Sequence, residues 1–169
     1  MWTIKLVLFF LIIASASGIG TMLSQKYINR VKQLKSFKSA LNMLETKMQY
    51  TYLPLKEIFL DISKSLPGEV GAFFREVSEQ IEMFGATIGF NKTLDKTKID
   101  ITKQDKEVLK NLSKMLGATD ISGQISEIEL TQTFLDKQIE QAEVEKEKNA
   151  KLYRTLGVVA GITIVIILL

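Results

Sequence analysis

The hydrophobic positions divide the chain into three parts. Residues 6–23 read LVLFFLIIASASGIGTML and carry no charge after Lys5. Residues 155–169 read TLGVVAGITIVIILL and carry none either. Between these runs the apolar residues are spaced rather than contiguous. Tyr27, Val31, Leu34, Phe37, Leu41, Leu44 and Met48 recur at steps of three and four. That spacing predicts an amphipathic helix reaching about Tyr52. No Gly or Pro interrupts the stretch between Met22 and Leu53, so the helix continues out of the first apolar run.

Pro54 suits the first turn of a second helix, where its missing N–H costs nothing. Leu55, Ile58, Phe59, Ile62 and Leu66 line its inner face, and Leu66-Pro67-Gly68 ends it. Val70, Phe73, Phe74, Val77, Ile81 and Phe84 line a third helix, closed by Gly85. Ile88, Phe90 and Leu94 mark a short fourth helix between residues 86 and 97, against which Gly89 counts as a weak former. Thr102 and Asp105 have the spacing of a helix-start signal. Val108, Leu109, Leu112 and Leu116 follow, with Gly117 placed as a left-handed cap. Asp120 or Ser122 opens the last helix, along which Ile121, Ile125, Ile128, Leu135, Ile139 and Ala142 keep the helical spacing. No breaker follows before the second apolar run, and no segment alternates with period two for long enough to make a strand. The expected fold is therefore all-α: an antiparallel bundle of five or six helices over residues 24–152. It is carried on a transmembrane helix at 4–23 and another at 153–169.

The first run has the roughly 18 residues of a membrane span. A cleaved signal peptide is the competing reading, with Lys5 as its basic start and Ala14-Ser15-Ala16 before the cut. Only one basic residue precedes the run, however, and the run continues through Ile19, Met22 and Leu23 as a retained anchor does. The second run, at 15 residues, covers about 22 Å, against a hydrocarbon core of about 30 Å. Lys151 and Arg154 can snorkel to the headgroups and Tyr153 can sit at the interface. A buried core helix needs a polar face, and VVAGITIVIILL has none. Orientation follows from basic residues near the spans. Lys26, Arg30, Lys32, Lys35 and Lys38 follow the first, and Lys146, Lys148, Lys151 and Arg154 precede the second, while only Lys5 lies outside. The middle then faces the cytoplasm, with both termini on the far side of a two-pass cell-membrane protein.

Composition narrows the chemistry. The chain holds 169 residues, no His, no Cys and a net charge of +3. Those absences remove His/Cys metal sites and His-dependent nucleophile systems. No G-x-x-x-x-G-K-[ST] occurs, so the chain is not itself a P-loop ATPase. The 19 carboxylates mostly alternate with Lys on presumed solvent faces and form no catalytic constellation. No catalytic, cofactor or metal residue is expected, and the chain is not read as an enzyme. The basic run at 26–38 is explained by lipid headgroups better than by nucleic acid.

The candidate site is instead one of helix packing. Gly157 and Gly161 form a GxxxG, and Ala14 with Gly18 and Ala16 with Gly20 form small-residue faces in the first run. Removing side chains lets backbones approach where lipid supplies no hydrophobic drive. Pairing between the two spans of one chain, between chains as a homo-oligomer, or with another membrane subunit all remain open. Arg30 and Lys35 are candidates for orientation or partner contact. Glu45 is a third, an acid standing alone in a basic and apolar helix.

The chain resembles the stage III sporulation protein AB family of spore-forming bacteria. The resemblance lies in Tyr27, Arg30, Gln33-Leu34, Phe37, Ala40-Leu41, Leu44-Glu45, Tyr50-Thr51, Pro54-Leu55, Leu66-Pro67 and Phe73-Phe74 after the first run. It continues through Leu116-Gly117, Asp120 and Gln124 to Leu156-Gly157-Val158 and Gly161. It implies a helical domain similar to inner-membrane platform proteins of type II secretion and type IV pilus machines. It further implies a place in a channel between mother cell and forespore during engulfment, on the mother-cell side of the outer forespore membrane. There the protein would couple a cytoplasmic stage III sporulation protein AA-type ATPase to other membrane subunits. The alternative is a membrane-tethered module acting alone, binding a small ligand or lipid headgroup through residues 26–38.

Overall fold

Local backbone chemistry sets the helix limits. Thr102 accepts a hydrogen bond from the Asp105 amide, and the Asp105 carboxylate accepts one from the Thr102 amide at 2.8 Å. This reciprocal cap starts a helix where the T-x-x-D spacing places it. Gly85 ends one helix and begins the next at a φ of 78°, which a side chain disfavours. The computed structural model describes residues 2–168, with side chains from Val7 onward. Its elements are α1 (Trp2–Tyr50), α2 (Leu55–Ser65), α3 (Gly68–Phe84), α4 (Ala86–Lys96), α5 (Lys103–Met115) and α6 (Ile121–Leu168). No strand occurs among the described residues, and the fold is the all-α bundle expected.

The chain forms two compact units. One runs from Lys32 to Glu140, and the other combines the chain up to Val31 with the chain from Gln141. Both boundaries lie beyond the ends of the apolar runs, because the polar continuations of α1 and α6 stay associated with them.

In the unit of residues 32–140, α2 packs on α3, α3 on α4 and α4 on α5. Phe37, Phe59, Phe73, Phe74 and Phe90 are fully buried at its centre. The centroids of neighbouring rings lie between 5.1 and 6.5 Å apart, several pairs edge to face, the geometry aromatic quadrupoles favour. Leu34, Leu41, Leu44, Leu109, Leu112, Ile128 and Leu135 complete the core. Gly89, a poor helix former by propensity, sits well inside α4. A Cβ there would come 3.0 Å from the Gln80 carbonyl carbon, so its missing side chain lets α4 lie against α3.

Two residues expected to line helices inward, Phe84 and Ile121, are exposed, and the first helix ends short of its expected limit. Ile121 is 51% exposed, because it opens α6 before the buried stripe begins. Tyr52 belongs to no helix, since α1 stops at Tyr50, and its side chain is fully exposed.

Ion pairs tie the helices at the surface. Lys47 lies 2.9 Å from Asp61, and its hydrogen bond lowers the Asp61 carboxyl below the usual range. Lys110 lies 2.9 Å from Asp95, whose hydrogen bond raises the Lys110 ammonium. These exposed pairs add little stability, whereas the α5 cap contributes measurably. Thr102→Ala should cost about 1 kcal/mol. The thermal midpoint of the bundle should fall by about 4–8 °C; an unchanged midpoint would show that the cap is redundant.

Candidate helix-packing site

The second unit brings together the start of α1 and the end of α6. Each contains a stretch long and apolar enough to cross a membrane, and only 11% and 6% of those stretches are buried. Val7, Phe10, Met22, Ile166 and Ile167 are all at least 60% exposed. A soluble core helix would hide such residues. The hydroxyls of Thr21 and Thr163 donate to Gly18 and Val159 carbonyls of their own helices, leaving those donors satisfied without water.

Small residues bring the two backbones into contact. A Cβ on Gly20 would lie 2.6 Å from the Tyr153 carbonyl oxygen and 2.9 Å from Gly157 Cα. One on Gly157 would lie 2.8 Å from the Ala16 carbonyl oxygen. One on Gly161 would meet Ile13 Cα at 3.0 Å and Ala16 Cβ at 3.2 Å. No side chain fits at Gly20 or Gly157 without moving a backbone, one at Gly161 needs its neighbours to give by a few tenths of an ångström, and the order of the contacts makes the segments antiparallel. Gly20, Gly157 and Gly161 are thus brought together within one chain. Ala14 and Gly18 are not: Ala14 is exposed, and a Cβ on Gly18 would meet nothing within 4 Å. The Lys5 side chain and Leu169, assigned to the outer flank and to the end of the second span, lie outside the described residues.

Past the glycines the contact becomes polar. Tyr27 and Tyr153 stack at 5.7 Å and 15°. The neighbouring Tyr153 hydroxyl, with burial and the charge of Glu145, raises the Tyr27 phenol above its ordinary value. Arg30 Nη1 donates to Glu145 Oε2 at 2.7 Å, and Gln141 donates to the other carboxylate oxygen at 3.0 Å. Only 6% of the Arg30 side chain is exposed, so it clasps α6 rather than reaching outward. Removing Glu145 takes this carboxylate from a buried guanidinium, whereas removing Arg30 leaves a carboxylate that still reaches solvent.

The remaining candidates lie in the unit of residues 32–140. Lys35 is exposed on α1. Glu45 accepts a hydrogen bond from Gln132 of α6 at 2.9 Å, which explains an acid on an apolar helix. A feature missed in the sequence lies where α1 ends. Met48, Leu53, Leu55, Ile58 and Gln124 line a recess of about 270 Å³, with Tyr52 and Ile121 exposed on its rim. The signal was two aromatics and a Leu directly before Pro54, hidden by extending the helix to Tyr52. Among the described residues no group of acids could hold a metal ion.

Residues 5–169 match the family described as Stage III sporulation protein AB. The chain belongs to the stage III sporulation protein AB family. The Stage III sporulation protein AB of Bacillus subtilis (strain 168) is 28% identical over 162 residues, covering 94% of this chain and 95% of that protein. A solved structure of a Stage III sporulation protein AB (SpoIIIAB) is 27% identical with a TM-score of 0.66, and the match covers 71% of this chain and 98% of the solved one. Membership in the stage III sporulation protein AB family places the chain among sporulation proteins. Its fold is a helical bundle bearing two helices apolar enough to enter lipid.

Proposed function

We propose that this stage III sporulation protein AB family member is a non-catalytic, two-pass membrane platform in a secretion-like channel between mother cell and forespore. The observation that carries this reading is the backbone contact at Gly20, Gly157 and Gly161, which pairs the two apolar segments and leaves their outer faces without charge. Such a pair suits a permanent anchor in the cell membrane. The basic residues that follow the first span and precede the second favour a cytoplasmic bundle. Ala14 and Gly18, left uncovered by the contact within the chain, are available to other membrane subunits or to a second copy. The partner in the cytoplasm is an ATPase of the stage III sporulation protein AA type. It engages the recess rimmed by Tyr52 and Ile121, since an exposed tyrosine and isoleucine at a shallow apolar recess suit a protein partner. In this design the fuel-consuming chemistry belongs to the ATPase, and the present chain passes force or position to the bilayer.

The test is affinity purification from membranes of sporulating cells, with the ATPase quantified by mass spectrometry. The wild-type chain should recover the ATPase. A Tyr52→Asp, Leu53→Asp variant should recover about tenfold less, because charge is depleted from interface cores, while its helicity is retained. Equal recovery by the two proteins contradicts the docking site, and absence of the ATPase from both contradicts the platform reading.

A further inference from the structure

Beside the polar part of the helix pair lies a groove of about 570 Å³, which gathers cations read above only as snorkelling or orienting charges. Ser24 and Ile28 of α1 line it from one side. Lys146, Glu147, Ala150, Lys151, Arg154 and Thr155 of α6 line it from the other. Its charge is uneven: three cations face a single carboxylate, Glu147. Lys146, Ala150 and Arg154 follow one another at intervals of one helical turn, so Ala150 leaves open space between two cationic side chains. Lys146, Lys151 and Arg154 have no ion-pair partner among the described residues, even though Glu147 and Lys151 stand four apart on the same helix.

Ser24 supplies the second observation. It is 1% exposed, and its hydroxyl is buried without a hydrogen-bond partner. A buried hydroxyl left unpaired is costly, yet this one borders an open cationic groove. The Ser24 O–H is free to donate, and the cations lining the groove favour an anionic acceptor. The groove lies where the apolar run of α6 begins, at Thr155, next to an arginine whose planar fork suits two oxygens of one group.

We propose that this groove binds a phosphoryl group, supplied by the headgroup of an anionic glycerophospholipid. Lys146, Lys151 and Arg154 hold the charge, and the Ser24 hydroxyl donates to a phosphate oxygen. The site lies on α6 and one turn of α1, and none of its cations belongs to the basic stretch at 26–38. It rests on the reading that residues 155–168 lie in lipid, since only then does a headgroup sit at this height.

The experiment is native mass spectrometry of the full chain released from detergent, titrated with phosphatidylglycerol or phosphatidylcholine. The wild type should retain one phosphatidylglycerol with about tenfold preference over phosphatidylcholine. A Lys146→Gln, Lys151→Gln, Arg154→Gln variant should lose that preference. Ser24→Ala, which changes no charge, should weaken retention about threefold, an effect a diffuse basic surface would not show. Lys26→Gln with Lys32→Gln should leave the preference intact. Competition by inorganic phosphate at concentrations near that of the lipid would keep the phosphoryl site but assign it to free phosphate. Equal retention of the two lipids by the wild type, or an unaltered preference in either groove variant, overturns the assignment. Retention of neither lipid, with failure of the chain to remain in alkali-washed membranes, would instead place the fault in the membrane reading.

Discussion

Replacing Leu41 with Asp is expected to abolish cooperative folding of the bundle formed by residues 32–140. Leu41 has no exposed surface and lies on the stripe of α1 that also carries Leu34, Phe37 and Leu44. Removing its side chain alone would cost about 2–5 kcal/mol. Placing a carboxylate there adds a desolvation cost of several kcal/mol, unless the group takes up a proton and remains as an unpaired polar group. A domain of this size has about 5–15 kcal/mol to lose. The check is a thermal melt of the full chain in detergent, with limited proteolysis of the same sample. The variant should show no cooperative transition and rapid cleavage within residues 32–140. Leu60→Asp, at a position 36% exposed, should melt close to the wild type. A cooperative melt of the Leu41 variant near the wild-type midpoint would mean that this face of α1 is not buried.

The second large effect is expected at Gly157. An isoleucine there must place its Cβ within 2.8 Å of the Ala16 carbonyl oxygen and 2.9 Å of Gly20 Cα. Both are backbone atoms, so no rotamer change relieves the clash and the helices must separate. Without a hydrophobic drive in lipid, close packing is the main attraction between them. On the proposed platform role, Gly157→Ile should therefore reduce recovery of membrane partners about tenfold while leaving the melt of the bundle in place. Gly161→Ile should act the same way, since its Cβ would meet Ile13 Cα at 3.0 Å. Gly18→Ile separates two roles. It should leave the pairing within the chain intact, because nothing lies within 4 Å of its Cβ, and should lower partner recovery only if another subunit covers that side. Normal recovery with both Gly157→Ile and Gly161→Ile would remove the packing role.

The parts of this structure that could be read from the sequence are those set by neighbours in the chain. The Thr102–Asp105 cap, the turn at Gly85 and the buried stripe of α1 depend on spacings of a few residues, and periodicity registers them. Gly89 was harder, because a glycine is the same letter whether it breaks a helix or admits a neighbouring one. The identity of the facing backbone at Gln80 decides which. The small-residue faces show a sharper limit. Ala14 with Gly18 and Ala16 with Gly20 are equivalent as patterns. In a run apolar on every side, no polar face marks which one turns toward α6. Arg30 and Glu145 are separated by 115 positions, and the recess at Tyr52 draws on three separate segments. Such juxtapositions follow from tertiary packing and leave no local signature.

The central claim is that the two apolar helices of a single chain lie antiparallel in direct backbone contact. The natural absence of cysteine makes it testable in native membranes. Tyr27→Cys with Tyr153→Cys replaces two rings stacked 5.7 Å apart just past the glycine contact and adds no atom to that contact. With a short bifunctional thiol reagent at low expression, the double variant should crosslink within one chain and remain monomeric in a non-reducing gel. The pair Ala14→Cys with Tyr153→Cys should not. Dimers as the sole crosslinked product of the first pair, or no crosslink at all, would contradict the account.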